Sequence, residues 1–226
     1  MHELHLAMQL KEYILNNLEY LKLSTSIESA IESTQKQRFS HIPIVENHKL
    51  IGVIAESDLS TIEEQNNPVQ NYAYLFSYFF AKEEDNLTEL ITFFSIHETN
   101  ILPVIDKEKN FIGYYDLSDI LAIYAETPFI REEGIALLIE KENESYTMSE
   151  IAQITESNGG KLLGAFVSKI TEKRTQILVK IKAENSNEII QSFRRYEYNV
   201  LSKHKEDRYL EDLKKRSEYL QKYLNM

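Results

Sequence analysis

Apolar positions recur along this chain in a pattern that is written twice. Ser26 stands before Ile27, Ala30, Ile31 and Thr34, and Asn86 before Leu87, Leu90, Ile91 and Phe94. Each is a capping residue followed by apolar positions at i, i+3, i+4 and i+7, which predicts an amphipathic helix. Ile42–Val45 and Leu50–Ile54 then flank the polar turn Glu46-Asn47-His48-Lys49, and Ile101–Ile105 and Phe111–Tyr115 flank Asp106–Asn110. Both are hairpin patterns. Each hairpin runs into a Ser-Asp pair, Ser57-Asp58 and Ser118-Asp119, about sixty residues apart. Tyr20–Leu23 and Phe79–Lys82 hold equivalent places ahead of the two helices. A duplicated unit of this kind predicts a pseudo-symmetric pair with clefts along the join. The aromatic stretch Tyr72–Phe80 between the copies has no interleaved basic residue, so it reads as core and linker packing rather than a base-stacking platform.

The pattern changes after Thr127-Pro128. Gly134–Glu140 predicts a strand, and Thr147-Met148-Ser149-Glu150 predicts a capping box opening a helix through Ile151 and Ile154 that ends at Asn158-Gly159-Gly160. Leu162–Ile170 and the alternating Ile177, Val179 and Ile181 predict two strands around a turn at Thr171–Arg174. Ser186 opens a second helix, and Tyr196–Leu201 closes the block as a strand. The order βαββαβ is the ferredoxin-like plan. Leu210, Leu213, Ser217, Leu220 and Leu224 follow a 3-4-3-4 spacing that predicts a short docking or self-associating helix. The expected class is therefore α+β. Its segments are two repeats over 10–66 and 67–127, a ferredoxin-like domain over 133–203, and a terminal helix over 204–226.

Composition narrows the chemistry. With 25 basic and 36 acidic residues the net charge is -11, which disfavours a nucleic-acid partner. There is no cysteine, so disulfides and thiolate chemistry are excluded. The amino-terminal residues lack the build of a signal peptide, and no apolar run approaches the roughly 20 residues that span a bilayer. A cytoplasmic protein with no membrane partner is expected. His2 and His5 are close, but His41, His48, His97 and His204 are scattered, and no metal quartet emerges. Asn158-Gly159-Gly160-Lys161 lacks the spacing of a phosphate loop. No nucleophile, base and orienter can be assembled, so no catalytic residue is named.

The two copies, each with hydrophobic-Pro-Val/Ile-Val/Ile, a turn, hydrophobic-Gly and Ser-Asp, resemble a tandem CBS (cystathionine beta-synthase-like) domain pair over roughly residues 10 to 127. The block 133–203 resembles an ACT domain by its topology, and the combined layout resembles acetoin-utilisation-type regulatory proteins. The resemblance implies a homodimeric regulatory module that acts on some protein target and binds an adenosine-containing ligand such as AMP, ATP or S-adenosylmethionine. By the same resemblance Asp58 and Asp119 match a ribose-binding aspartate, and Ile42-Pro43 and Leu102-Pro103 match a base-contacting pair. A carboxylate with two oxygens can accept from both hydroxyls of a vicinal diol. The family's phosphate-contacting Thr/Ser is missing: Ala55 stands there in the first repeat and Asp116 in the second. Alanine has no donor, and a carboxylate near a phosphate is repelled by about 1 kcal/mol or more. Lys22 and Lys82, at equivalent places, are the candidates to compensate. In the ACT-like block the first loop, Glu142–Tyr146, lacks the glycine that lets an amino acid approach the backbone, which favours a dimerisation role.

The residues leave other readings open. Asp58 and Asp119 also suit helix starts without any ligand, and Pro43 and Pro103 suit edge strands. A scaffold protein whose clefts have lost their nucleotide is the rival to a ligand sensor, and Ala55 and Asp116 favour it.

Overall fold

The computed structural model describes residues 10–17 and 20–202, so the predicted terminal helix, His2, His5 and His204 lie outside the described residues. The chain divides into two compact units, Met1–Glu126 and Thr127–Met226.

In the first unit the duplication becomes structure. The Ser26 hydroxyl accepts from the Ser29 N–H and starts α1 (Ile27–Gln37), which buries Ile27, Ala30 and Thr34. The chain then forms the antiparallel hairpin β1 (His41–Glu46) and β2 (Lys49–Ala55) and the short turn of helix α2 (Glu56–Leu59). Asn47 and His48 both take positive φ, 49° and 64°, the backbone a two-residue turn of type I′ needs. The second copy runs β3 (Ala81–Lys82), α3 (Leu87–Ile96), β4 (Ile101–Ile105), β5 (Phe111–Asp116) and α4 (Leu117–Ala125). Here Asn86 and Glu89 form a complete capping box, with the Asn86 N–H donating to the Glu89 carboxylate at 2.7 Å. Equivalent irregularities interrupt both ladders, between Ile44 and Val45 and between Val104 and Ile105.

Each copy has its own core. Leu21, Ile27, Ile42, Ile44, Ile54 and Leu59 cluster in the first, and Ala81, Leu90, Leu102, Val104, Tyr115 and Ile120 in the second. Val53 of the first copy packs into the second core. The aromatic stretch is core only in part. Phe79 is buried and Tyr72 and Phe76 are half-buried, but Tyr74 and Tyr78 are 78% and 60% exposed. A 3₁₀ segment, Val69–Leu75, links the copies.

The second unit opens with one turn of helix, α5 (Pro128–Arg131), which has Pro128 in its first turn. It continues as β6 (Ile135–Glu142), α6 (Met148–Ser157), β7 (Lys161–Ile170), β8 (Arg174–Lys182), α7 (Ser186–Arg195) and β9 (Asn199–Val200). The antiparallel order β7-β8-β6-β9 is the ferredoxin-like one. Leu137, Ile139, Ile177, Val179 and Ile181 alternate onto one face and meet Ile151, Ile154, Ile189, Ile190 and Phe193 from the helices. The last strand is shorter than its pattern, because Glu197 at φ 65° turns the chain out of α7 before pairing begins. The predicted capping box at Thr147 forms by half. The Thr147 hydroxyl accepts from the Glu150 N–H, but the Glu150 carboxylate turns inward to Lys141 and Tyr198.

Candidate functional site

The two copies of the first unit are joined reciprocally. Leu15, near the start of the first copy, pairs with Tyr114 of the second, and Ser77, in the leading segment of the second copy, pairs with Val53 of the first. These crossings explain the glycine of each motif. A Cβ at Gly113 (φ 147°) would lie 2.4 Å from the Leu15 carbonyl oxygen, and one at Gly52 would lie 3.0 Å from that of Ser77. At the centre of the join the equivalent residues Ser40 and Asn100 bind each other. The Ser40 N–H donates to Asn100 Oδ1 at 2.9 Å, and the Asn100 N–H donates to Ser40 Oγ at 3.0 Å. Their carbonyls accept from the Glu56 and Leu117 N–H groups, so α2 and α4 both start against this pair.

Asp58 and Asp119 therefore hold equivalent positions in the two repeats, each the third residue of a helix that begins at the join. Both are half-buried, and neither carboxylate enters a hydrogen bond or ion pair among the described residues. Asp116 is different. It is the N-cap of α4, with Oδ1 accepting from the Ser118 N–H at 2.7 Å. Its first-copy equivalent, Ala55, caps α2 without a side-chain bond.

Ile42 and Leu102 are wholly buried in their cores, and Pro43 and Pro103 are buried beside them. A ligand could meet only backbone there, and the Pro43 carbonyl already accepts from the Leu21 N–H at 2.8 Å. Lys22 and Lys82 lie away from the aspartates. Lys82 pairs with Ile105, and Lys22 follows Leu21, which pairs with Ile44. The aspartates follow Ala55 and Asp116, which pair with His41 and Ile101 at the other ends of the same strands. Four strand residues, about 13 Å, separate the two ends. Both lysines are exposed, and Lys82 borders a hollow of about 270 Å³ with Phe80, Glu84, Asp106, Lys107 and Lys109.

Two histidines that share the Phe79 ring carry no local sequence signal. His41 sits half-buried with Nδ1 3.0 Å from Ser40 Oγ and its ring edge-on to Phe79, whose other contact is His97, stacked at 4.1 Å. Burial lowers the His41 pKa, Asp58 raises it and His97 lowers it further, with a net downward shift; burial also lowers that of His97. In the second copy, burial and then Asp85 and Glu83 push the Tyr115 hydroxyl up to about 12, and that buried oxygen has no hydrogen-bond partner. No group of His, Asp and Glu able to hold a metal occurs among the described residues, and no described helix is long and apolar enough to cross a membrane.

Comparison with known proteins finds a match for both repeats. Residues 10–63 and 77–126 each match the CBS domain, two matches in tandem within the first unit. Two inosine-5'-monophosphate dehydrogenases are similar to it. That of Aquifex aeolicus is 30% identical over 104 residues, 45% of this chain and 21% of the enzyme, and that of Methanocaldococcus jannaschii is 25% identical over 121 residues, 53% of this chain and 24% of the enzyme. The chain thus spans about a quarter or less of the length of these relatives. Among solved structures, a CBS domain pair/ACT domain protein from Thermotoga maritima is 24% identical with a TM-score of 0.46, covering 51% of this chain and 95% of its own. A CBS-pair protein from Arabidopsis thaliana is 20% identical with a TM-score of 0.43, covering 51% and 93%.

Proposed function

We propose that this protein is a non-catalytic regulatory module whose CBS pair binds a small adenosine-containing ligand at the join of the repeats. The observation that carries this reading is the pair Asp58 and Asp119. They are equivalent, half-buried and uncommitted carboxylates on helices that start against one Ser40–Asn100 contact. The two oxygens of either carboxylate can accept from both hydroxyls of a ribose diol. Binding acts as a signal because the ligand favours one relative orientation of the repeats. The shift it produces is set by its differential affinity for the two orientations, not by how tightly it binds. The second unit serves dimerisation and readout in this scheme. Its ACT-like first loop is tied down internally, with Asn143 donating to the Thr171 and Glu172 carbonyls and accepting from Thr175, which supports a structural use over amino-acid binding.

A thermal-stability screen against adenosine, AMP, ADP, ATP, S-adenosylmethionine and cyclic dinucleotides tests the reading. A ligand at 100 times its Kd stabilises the fold by roughly 2.7 kcal/mol. Asp58→Ala and Asp119→Ala should each remove the contribution of one cleft. The second reading, a scaffold whose clefts have lost their nucleotide, is favoured by Ala55 and by the use of Asp116 as a helix cap. Silence across the whole screen would favour it over the first.

A further inference from the structure

The two clefts differ at one cross-strand pair. His41 lies opposite Ala55 in the β1–β2 ladder, and Ile101 lies opposite Asp116 in the β4–β5 ladder. Opposed residues on antiparallel strands hold their Cβ atoms about 5 Å apart on one face. In the first copy an imidazole therefore stands beside the position that lacks a phosphate donor. In the second, an apolar branched side chain stands beside a carboxylate. His97, the residue that ends α3 in the second copy, stacks on the same Phe79 ring that His41 meets edge-on, so the two histidines, one from each repeat, meet on one ring, and His41 lies within electrostatic reach of both Asp58 and His97. Among the described residues, the titratable groups facing His41 are Asp58 from α2 and His97 from the end of α3. Burial holds both histidines below their ordinary range, which favours the neutral imidazoles in the free protein. An imidazole that takes up a proton becomes a cation with two donors, the chemistry a phosphate needs and Ala55 cannot supply.

We infer that His41 and His97 make the anion contact of the first cleft, so that this cleft takes a phosphorylated adenosine ligand together with protons from solvent, while the second cleft takes none. The inference rests on the adenosine reading above and names which cleft is used and what regulates it. The lysines, about 13 Å along the strands from the aspartates, are not needed for it. Each proton taken up makes affinity fall by up to about tenfold for each pH unit above the histidine range.

The test is AMP and adenosine binding to the full chain, by calorimetry, at pH 6 and pH 8. Wild type should bind AMP more tightly at pH 6, adenosine should show little change, and Asp58→Ala but not Asp119→Ala should abolish AMP binding. The phosphate of AMP itself titrates near pH ~6 and acts on every variant alike. The decisive quantity is therefore the loss of pH dependence in His41→Gln and His97→Gln relative to wild type. Ala55→Thr restores a neutral donor without touching either histidine, so it keeps the test open if a histidine variant fails to fold. It should raise AMP affinity at pH 8 by about tenfold and flatten the profile. AMP binding with the same pH profile in wild type and in the histidine variants would overturn the inference and leave the adenosine reading intact, as would AMP binding abolished by Asp119→Ala alone. Failure of adenosine and every nucleotide to bind at either pH would remove the adenosine reading, and the inference with it.

Discussion

Single residues decide how closely the two repeats approach. Gly113 lets the Leu15 carbonyl lie where a Cβ would be, and its φ of 147° is a backbone state that L side chains rarely adopt. Gly113→Ala therefore meets both a steric clash with backbone and conformational strain, and should destabilise the first unit by about 2 kcal/mol or more. The check is denaturant unfolding of the variant beside Gly159→Ala. Gly159 also has a positive φ, 74°, but nothing lies within 4 Å of an added Cβ, so strain alone should cost it about 1 kcal/mol. Equal losses at the two sites would mean the Leu15 contact does not constrain the join. Asp116 shows the same economy of position. The carboxylate that looks hostile to a phosphate in the sequence is spent on the Ser118 amide, so its presence has a structural cause independent of any ligand.

At the scale of elements, the hairpins and helices were legible because each has a local cause. Ser26, Asn86 and Thr147 cap the helices their patterns announce, and Asn47-His48 makes the turn between β1 and β2. What was not legible depends on residues far apart in the chain. Ser40 and Asn100, or His41 and His97, have no periodicity or motif of their own, and only the equivalence of the repeats marks 40 and 100 as counterparts. The same holds for Glu150, which sequence assigns to a capping box. In the fold it accepts from Lys141 Nζ at 2.8 Å and from the Tyr198 hydroxyl at 2.7 Å, and Lys141 lies 4.4 Å over the Tyr198 ring. Burial raises the Glu150 pKa, but the bonds from Lys141 and Tyr198 outweigh it and the net shift is downward. A carboxylate with a depressed folded pKa adds stability above its unfolded value and loses it as pH falls through the folded value. Glu150→Gln should therefore cost about 1–3 kcal/mol near neutrality, and the difference from wild type should shrink in acid. Chemical denaturation across pH 3 to 7 reads both effects, and a penalty independent of pH would show that charge is not what Glu150 contributes.

For the whole molecule the informative fact is where the cores end. Among the described residues, the buried clusters of the first unit are drawn from residues up to Ile120, and the cluster of the ferredoxin-like unit runs from Leu137 to Tyr198. Among the described residues, each unit thus has buried clusters of its own. Cooperativity follows shared burial, so the full chain should not melt as one two-state unit. Calorimetry should resolve two transitions that respond to different perturbations. Gly113→Ala and any adenosine ligand should move one of them, and Glu150→Gln should move the other. Should all three move a single transition together, the segment at Pro128 couples the units more strongly than their separate cores suggest. That result would also supply the route by which a ligand in the CBS clefts reaches the second unit, because mechanical coupling and thermodynamic coupling would then share one connection.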